Sequence, residues 1–236
     1  MFYFEKHENT LERAIEANLE RAFFSHYPEH PKAYGEQAPK DGDDAFKKAL
    51  GNPFKDLKQK NEIAWAGEEN SPYTQKDLGI TYPQFSVEEL VENAQEAKSE
   101  WKDLGPEERA GILVESLDRI KSRFFEIGHA TMHSTGQSFI MSFQASGPHA
   151  ADRALEAVAM AYEEQTRFPE EVDWVKPMGK FDIKLKKEYR TVPKGVALVI
   201  GCSTFPTWKR RVNAGSFSMC FLYSAHVVAP IVRNSP

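Results

Sequence analysis

The chain has 236 residues, enough for one large domain or two small ones with a substantial buried core. Its formal net charge of −5, with 28% charged residues spread along the chain, excludes the concentrated Lys/Arg surface that nucleic acid requires. No apolar stretch approaches the roughly 20 residues that cross a bilayer, the opening MFYFEKHENT lacks a basic region followed by an apolar run and cleavage site, and Cys202 and Cys220 form no Cys-x-x-Cys pair, so a reducing, cytoplasmic setting without a membrane partner is expected.

Asn9 followed by Glu12 reads as a helix cap, with Leu11, Ile15, Leu19, Ala22 and Phe23 recurring at helical spacing behind it. From Pro28 to about Tyr82 the prolines at 28, 31, 39, 53 and 72 break the pattern, and only Ala45 to Leu50 looks helical. A stretch this long and irregular is expected to wrap over a larger body. Ser86 can cap the next helix while Glu89 reaches back, and Val87, Leu90, Val91, Ala94, Ala97, Trp101 and Leu104 trace one face. Pro106 suits a first helical position and Glu107 and Glu108 suit the positive end of the dipole; Leu113, Leu117, Ile120, Phe124 and Ile127 then supply the buried stripe of a helix running to about His133. A short helix is expected between Ser138 and Ala145. Another starts near Gly147-Pro148, with Ala151, Leu155, Val158 and Tyr162 inward.

The period then changes to two. Phe181, Ile183 and Leu185 alternate with Asp182, Lys184 and Lys186, as in a strand with one wet face. After Pro193-Lys194-Gly195 comes Val196 to Ile200, an unbroken apolar run bounded by Gly201, which reads as a strand buried on both faces. Helices leading through a hairpin arm to such a strand predict an α/β chain that opens a parallel sheet.

Several constellations look like sites but have simpler readings. Cys202 closes the apolar run with no base placed to activate it, so a buried small residue is expected. His129 and His133 are four apart without the Glu of a zinc motif or a third ligand, and are expected to be partly exposed helix residues. Asp41, Asp43 and Asp44 lack the remaining ligands of a calcium loop and read as a solvated turn. Lys184, Lys186, Lys187 and Arg190 are expected on the outer face of the arm. No metal site and no catalytic residue is nominated.

The segments "GPEERAGILVESLDRI", Thr135-Gly136-Gln137 and "VPKGVALVIGCSTFPTW", in this order and spacing, resemble the N-terminal portion of the aldehyde dehydrogenase superfamily. With "RAFFSHYPEHPKAYGE", "SPYTQKDLGITYP" and "HATMHSTGQSFIMSFQASGPHAADRALEAVAMAYEE" they look more narrowly like the PaaN-type enzymes of phenylacetate catabolism. The resemblance implies an N-terminal helix and wrap over residues 1–84, an incomplete Rossmann-like NAD(P)-binding domain with its hairpin arm over 85–208, and a non-family tail over 209–236. It also implies an aldehyde substrate, oxidised through a cysteine thiohemiacetal, NAD or NADP as cofactor, and homo-oligomers joined through the arm. By position, Phe205, Pro206, Thr207 and Trp208 would lie along the nicotinamide and its ribose.

The next residue in the family is an asparagine that helps hold the oxyanion; here it is Lys209. Residues 209 to 236 match none of the family's later cofactor segments, its general-base Glu or its nucleophilic Cys, so the chain is expected to be catalytically silent, or to serve only as an oligomerisation module. A frameshift after Trp208 is the expected origin of the tail. If Lys209-Arg210-Arg211 is encoded AAA CGG CGN, removing one A gives AAC GGC, which restores Asn-Gly after Trp208.

Overall fold

A computed structural model of the chain describes residues 2–57, 61–193, 195–196 and 228–234. The first helix, α1, runs over Phe2–Glu20 and so begins before Asn9, which lies exposed within it instead of capping it. Its inner face is His7, Leu11, Ala14 and Ala17, one helical stripe, whereas Leu19 and Phe23 stand in solvent. The wrap that follows is more regular than its prolines implied. Helix α2 covers Ala38–Ala49 because Pro39 falls in its first turn, where a missing N–H costs nothing, and Asp41 favours the same end of the dipole. The Asp41, Asp43, Asp44 cluster is therefore helical, not a turn.

Four short strands complete the wrap: β1 Ala64–Ala66, β2 Asn70–Ser71, β3 Lys76–Asp77 and β4 Tyr82–Gln84. β1 pairs antiparallel with β4 and β2 with β3. Leu78 and Ile80 from this segment pack with Phe46 of α2 in a small core of their own.

Helix α3, Val87–Asp103, is capped by the Ser86 hydroxyl, which accepts from the Glu89 N–H at 3.2 Å. The Glu89 carboxylate does not reach back; it accepts from Asn61 instead. No residue of α3 is buried, and Val87, Leu90 and Val91 are exposed although they share one face. Helices α4, Pro106–Lys121, and α5, Phe124–Thr135, divide what the apolar spacing presented as one helix. The break is local: the Arg123 N–H bonds Ile120 O at 2.8 Å, and its guanidinium turns to Glu126 and to Asp56 of the wrap. Gly136 ends α5 in the left-handed conformation, φ 79°, as a glycine after a helix does. Helices α6, Phe139–Ser146, and α7, Pro148–Thr166, fall where the pattern put them.

The main core joins α1, α4, α5, α6 and α7. Leu11, Val114, Leu117, Phe124, Phe143, Leu155 and Val158 are all but fully buried there, with Tyr27 from the loop after α1. Each such apolar side chain contributes about 1.5–3 kcal/mol of burial. The helical body thus packs as a unit, leaving α3 at its margin.

The arm follows: β5, Glu171–Pro177, pairs antiparallel with β6, Asp182–Pro193, setting Trp174 opposite Leu185. The far edge of β6 is occupied by β7, Val228–Asn234, in antiparallel register with Tyr189 opposite Val232. The Val and Ile residues of this stretch suit a strand, and the open edge of β6 offers a template. Val196 is about half exposed and outside any strand, and the rest of the expected buried strand, residues 197–200, lies outside the described residues.

Candidate functional site

The residues nominated for the cofactor, Phe205, Pro206, Thr207 and Trp208, lie outside the described residues, as do Cys202 and Lys209. What the structure details is the helical body leading to them, and three polar clusters within it.

Glu115, on the face of α4 turned toward α1, is nearly buried. It accepts from Lys6 Nζ at 2.6 Å, His7 Nε2 at 2.8 Å and Arg119 Nε at 3.0 Å. These donors, Lys6 first, hold its carboxyl down at about 2. An ionised carboxylate only accepts, so His7 Nε2 carries a hydrogen.

Asp152 of α7 gathers the loop that follows α1. One carboxylate oxygen accepts from Ser25 Oγ at 2.7 Å, the other from the N–H groups of His26 at 2.8 Å and Tyr27 at 3.0 Å. The Tyr27 hydroxyl donates to Asp118 of α4 at 3.2 Å, and burial followed by that carboxylate pushes the phenol far above its ordinary range.

The third cluster lies between α2, α5 and β2. Phe46 is stacked by His133 at 4.9 Å between ring centres and by His129 at 6.1 Å. His133 Nδ1 is 2.7 Å from Ser71 Oγ. Asp43 pairs with Lys47 at 2.5 Å and faces both histidines, whose burial nonetheless lowers their affinity for a proton. Both rings are partly exposed, as expected, and among the described residues no group of three or more His, Cys, Asp or Glu could hold a metal.

These clusters fasten elements together through protein donors and acceptors. Arg109 does the same for the helix pair, donating to Leu104 O at the end of α3 and to Gln165 Oε1 of α7 at 2.5 Å. The i,i+4 pairs Asp43–Lys47 and Glu115–Arg119 follow helical spacing, but the contacts that join separate elements were not legible beforehand, because those partners are far apart in sequence.

The arm has two unlike faces. Trp174, Val172, Ile183 and Leu185 share one, each at least partly exposed; Glu171 and Lys186, paired at 2.5 Å, share the other with Asp173 and Lys184. Lys187 is not with the other lysines: it sits over the Trp174 ring at 4.8 Å. No helix among the described residues is long and apolar enough to cross a membrane.

The sequence model of the aldehyde dehydrogenase family matches residues 67–208, more than half of the chain. The structure is similar to the crystal structure of an NAD-dependent aldehyde dehydrogenase from Burkholderia multivorans, with 41% identity and a TM-score of 0.86, over 96% of this chain and 40% of that one. A 1-pyrroline-5-carboxylate dehydrogenase from Thermus with bound NAD shares the fold at 18% identity and a TM-score of 0.56, over 79% of this chain and 36% of that one. No curated protein matches. The chain thus spans about two fifths of the length of the Burkholderia relative. Its mixed helices and strands are part of the aldehyde dehydrogenase fold, and the chain belongs to the aldehyde dehydrogenase family.

Proposed function

We propose that this chain is the N-terminal part of an NAD(P)-dependent aldehyde dehydrogenase of the PaaN type, acting on an aldehyde of aromatic catabolism, and that residues 1–236 alone do not turn over. The observation that carries this is the continuous family match up to Trp208, together with 41% identity to an NAD-dependent relative. In this reading residues 1–84 are the helix and wrap, 85–208 the start of the cofactor domain, and 209–236 a tail foreign to the family. By the family resemblance, Phe205 to Trp208 would hold the nicotinamide, whose chemistry when bound would be hydride acceptance from the aldehyde carbon. Lys209 cannot replace the family's asparagine, since its flexible stem holds no amide donor in place. The exposed apolar face of the arm supports assembly with further copies of the chain.

The family match stops at residue 208, where the sequence also departs from the pattern, which supports a frameshift at codon 209. Reading the nucleotide sequence tests this. Removing one base near that codon is expected to open a long frame encoding Asn-Gly, a Lys-Pro segment, a Glu and a Cys. A frame that closes within a few codons contradicts it.

A further inference from the structure

We propose that His133 is a pH-sensitive latch that holds the β2–β3 turn against the C-terminal end of α5. Ser71 is 1% exposed, and its hydroxyl accepts the N–H groups of Tyr73 at 3.2 Å and Thr74 at 3.3 Å. A serine hydroxyl has two lone pairs and one hydrogen. With both lone pairs taken, its hydrogen goes to the remaining neighbour, His133 Nδ1 at 2.7 Å. His133 Nδ1 is therefore an acceptor, and the neutral ring carries its hydrogen on Nε2. The same turn is fastened a second time by the Tyr73 hydroxyl, 2.7 Å from Gln137 O and 3.2 Å from Gly136 O.

A proton added at Nδ1 meets a hydroxyl with no free lone pair. Either Ser71 releases a backbone N–H of the turn, or the imidazole leaves Ser71; both open the latch. Movement within the cluster is limited, because Phe46 stacks on the ring and Tyr73 meets it edge-on at 5.9 Å. The charged surroundings are mixed. From α2, Asp43 favours the cation, while Lys47, bonded to Asp43, opposes positive charge nearby; from α5 itself, a charged His129 one turn earlier also opposes it; the β2–β3 turn contributes Tyr73, and α6 only Phe139, against His129. Burial outweighs Asp43 and sets His133 below its ordinary 6.5. A depressed value means that the latch is at full strength above 6.5 and weakens as pH falls through the lower folded value.

The test is nitrogen-15 NMR and amide exchange on the full chain from about pH 8 to about pH 5. The expected result at high pH is an unprotonated Nδ1 and a protonated Nε2. As the pH falls from 6.5 toward the lower folded value of His133, exchange at Tyr73 and Thr74, corrected for intrinsic rates, should accelerate by up to about tenfold per pH unit relative to core amides. His133→Asn puts an amide oxygen near the Nδ1 position, where it accepts but does not titrate, and should keep both amides protected at low pH. Ser71→Ala should leave them unprotected throughout and bring His133 closer to its ordinary value. A hydrogen on Nδ1 in the neutral wild-type ring, or the same acid-induced opening in His133→Asn, would overturn the proposal.

Discussion

His7 of α1 donates from Nε2 to Glu115 Oε2 of α4 at 2.8 Å, joining residues 108 positions apart inside the helical body. Because Lys6 and Arg119 converge on the same carboxylate, its proton affinity is depressed from 4.5 to about 2. A depressed carboxyl contributes stability that is complete above 4.5 and lost as pH falls toward 2. Urea unfolding of Glu115→Gln should show lower stability at neutral pH and a smaller further loss on acidification than wild type. Glu115→Ala should cost about 2–3 kcal/mol at neutral pH, since it also strands the buried His7. Parallel pH curves for wild type and Glu115→Gln would show that the cluster carries no such linkage.

Asp152 should be a second weak point for substitution. Asp152→Ala removes the acceptor for three donors at once and should destabilise the chain by about 3 kcal/mol. Asp152→Asn keeps one oxygen for the His26 and Tyr27 N–H groups and should cost clearly less. Equal losses in the two variants, by thermal or urea unfolding, would mean that packing around Tyr27 is what matters there.

Gly111 gives a prediction of sign. In a helix interior Ala is favoured over Gly by about 1 kcal/mol. A Cβ at Gly111, however, would lie 2.4 Å from Phe4 N and 2.8 Å from Phe4 Cα, backbone atoms of α1 that cannot step aside. Gly111→Ala should therefore destabilise, by pushing α1 off α4. At Gly105, where a Cβ meets nothing within 4 Å, Gly→Ala should be close to neutral. A stabilised Gly111→Ala would show that α1 does not pack as described.

The arm should govern assembly and leave the helical body alone. Trp174 is 36% exposed beside Val172 and Ile183 at 41% and 37%, an apolar face that a further copy would cover. Trp174→Glu should lower the assembled fraction in sedimentation velocity without changing the helical circular dichroism. An unchanged sedimentation profile would dissociate this face from self-association.

Signals that act within a few residues were readable in the sequence. The Ser86 cap, Pro106 at a helix start and the alternation through Ile183 and Leu185 each act this way, and the structure has them all. What failed was decided by distant packing or by local signals that read two ways. The start of α1 is set by Phe4 and His7 meeting α4, which no local cap announces. Pro39 was read as a breaker because a proline looks the same at a helix start as in a loop. The break between α4 and α5 is invisible because the apolar stripe continues from Leu117 to Phe124 across it. The apolar face of α3 was legible, but a stripe does not say what covers it: Trp101 packs against the main core, while Val87, Leu90 and Val91 stay exposed. The candidate cofactor residues Phe205, Pro206, Thr207 and Trp208 were nominated only from their order in a family pattern, since a slot lined by backbone would leave no charged or ligating residues to find.

The most direct measurement of the central claim compares two purified proteins for reduction of NAD(P) in the presence of aromatic and acyl-CoA semialdehydes. One is the 236-residue chain; the other is the product of the same gene with a single base removed near codon 209. The account predicts no reduced cofactor from residues 1–236 at any cofactor concentration, and sustained turnover from the restored frame. Turnover by residues 1–236 alone would contradict it, because their only cysteines are Cys202 and Cys220, neither of which the account assigns to the chemistry.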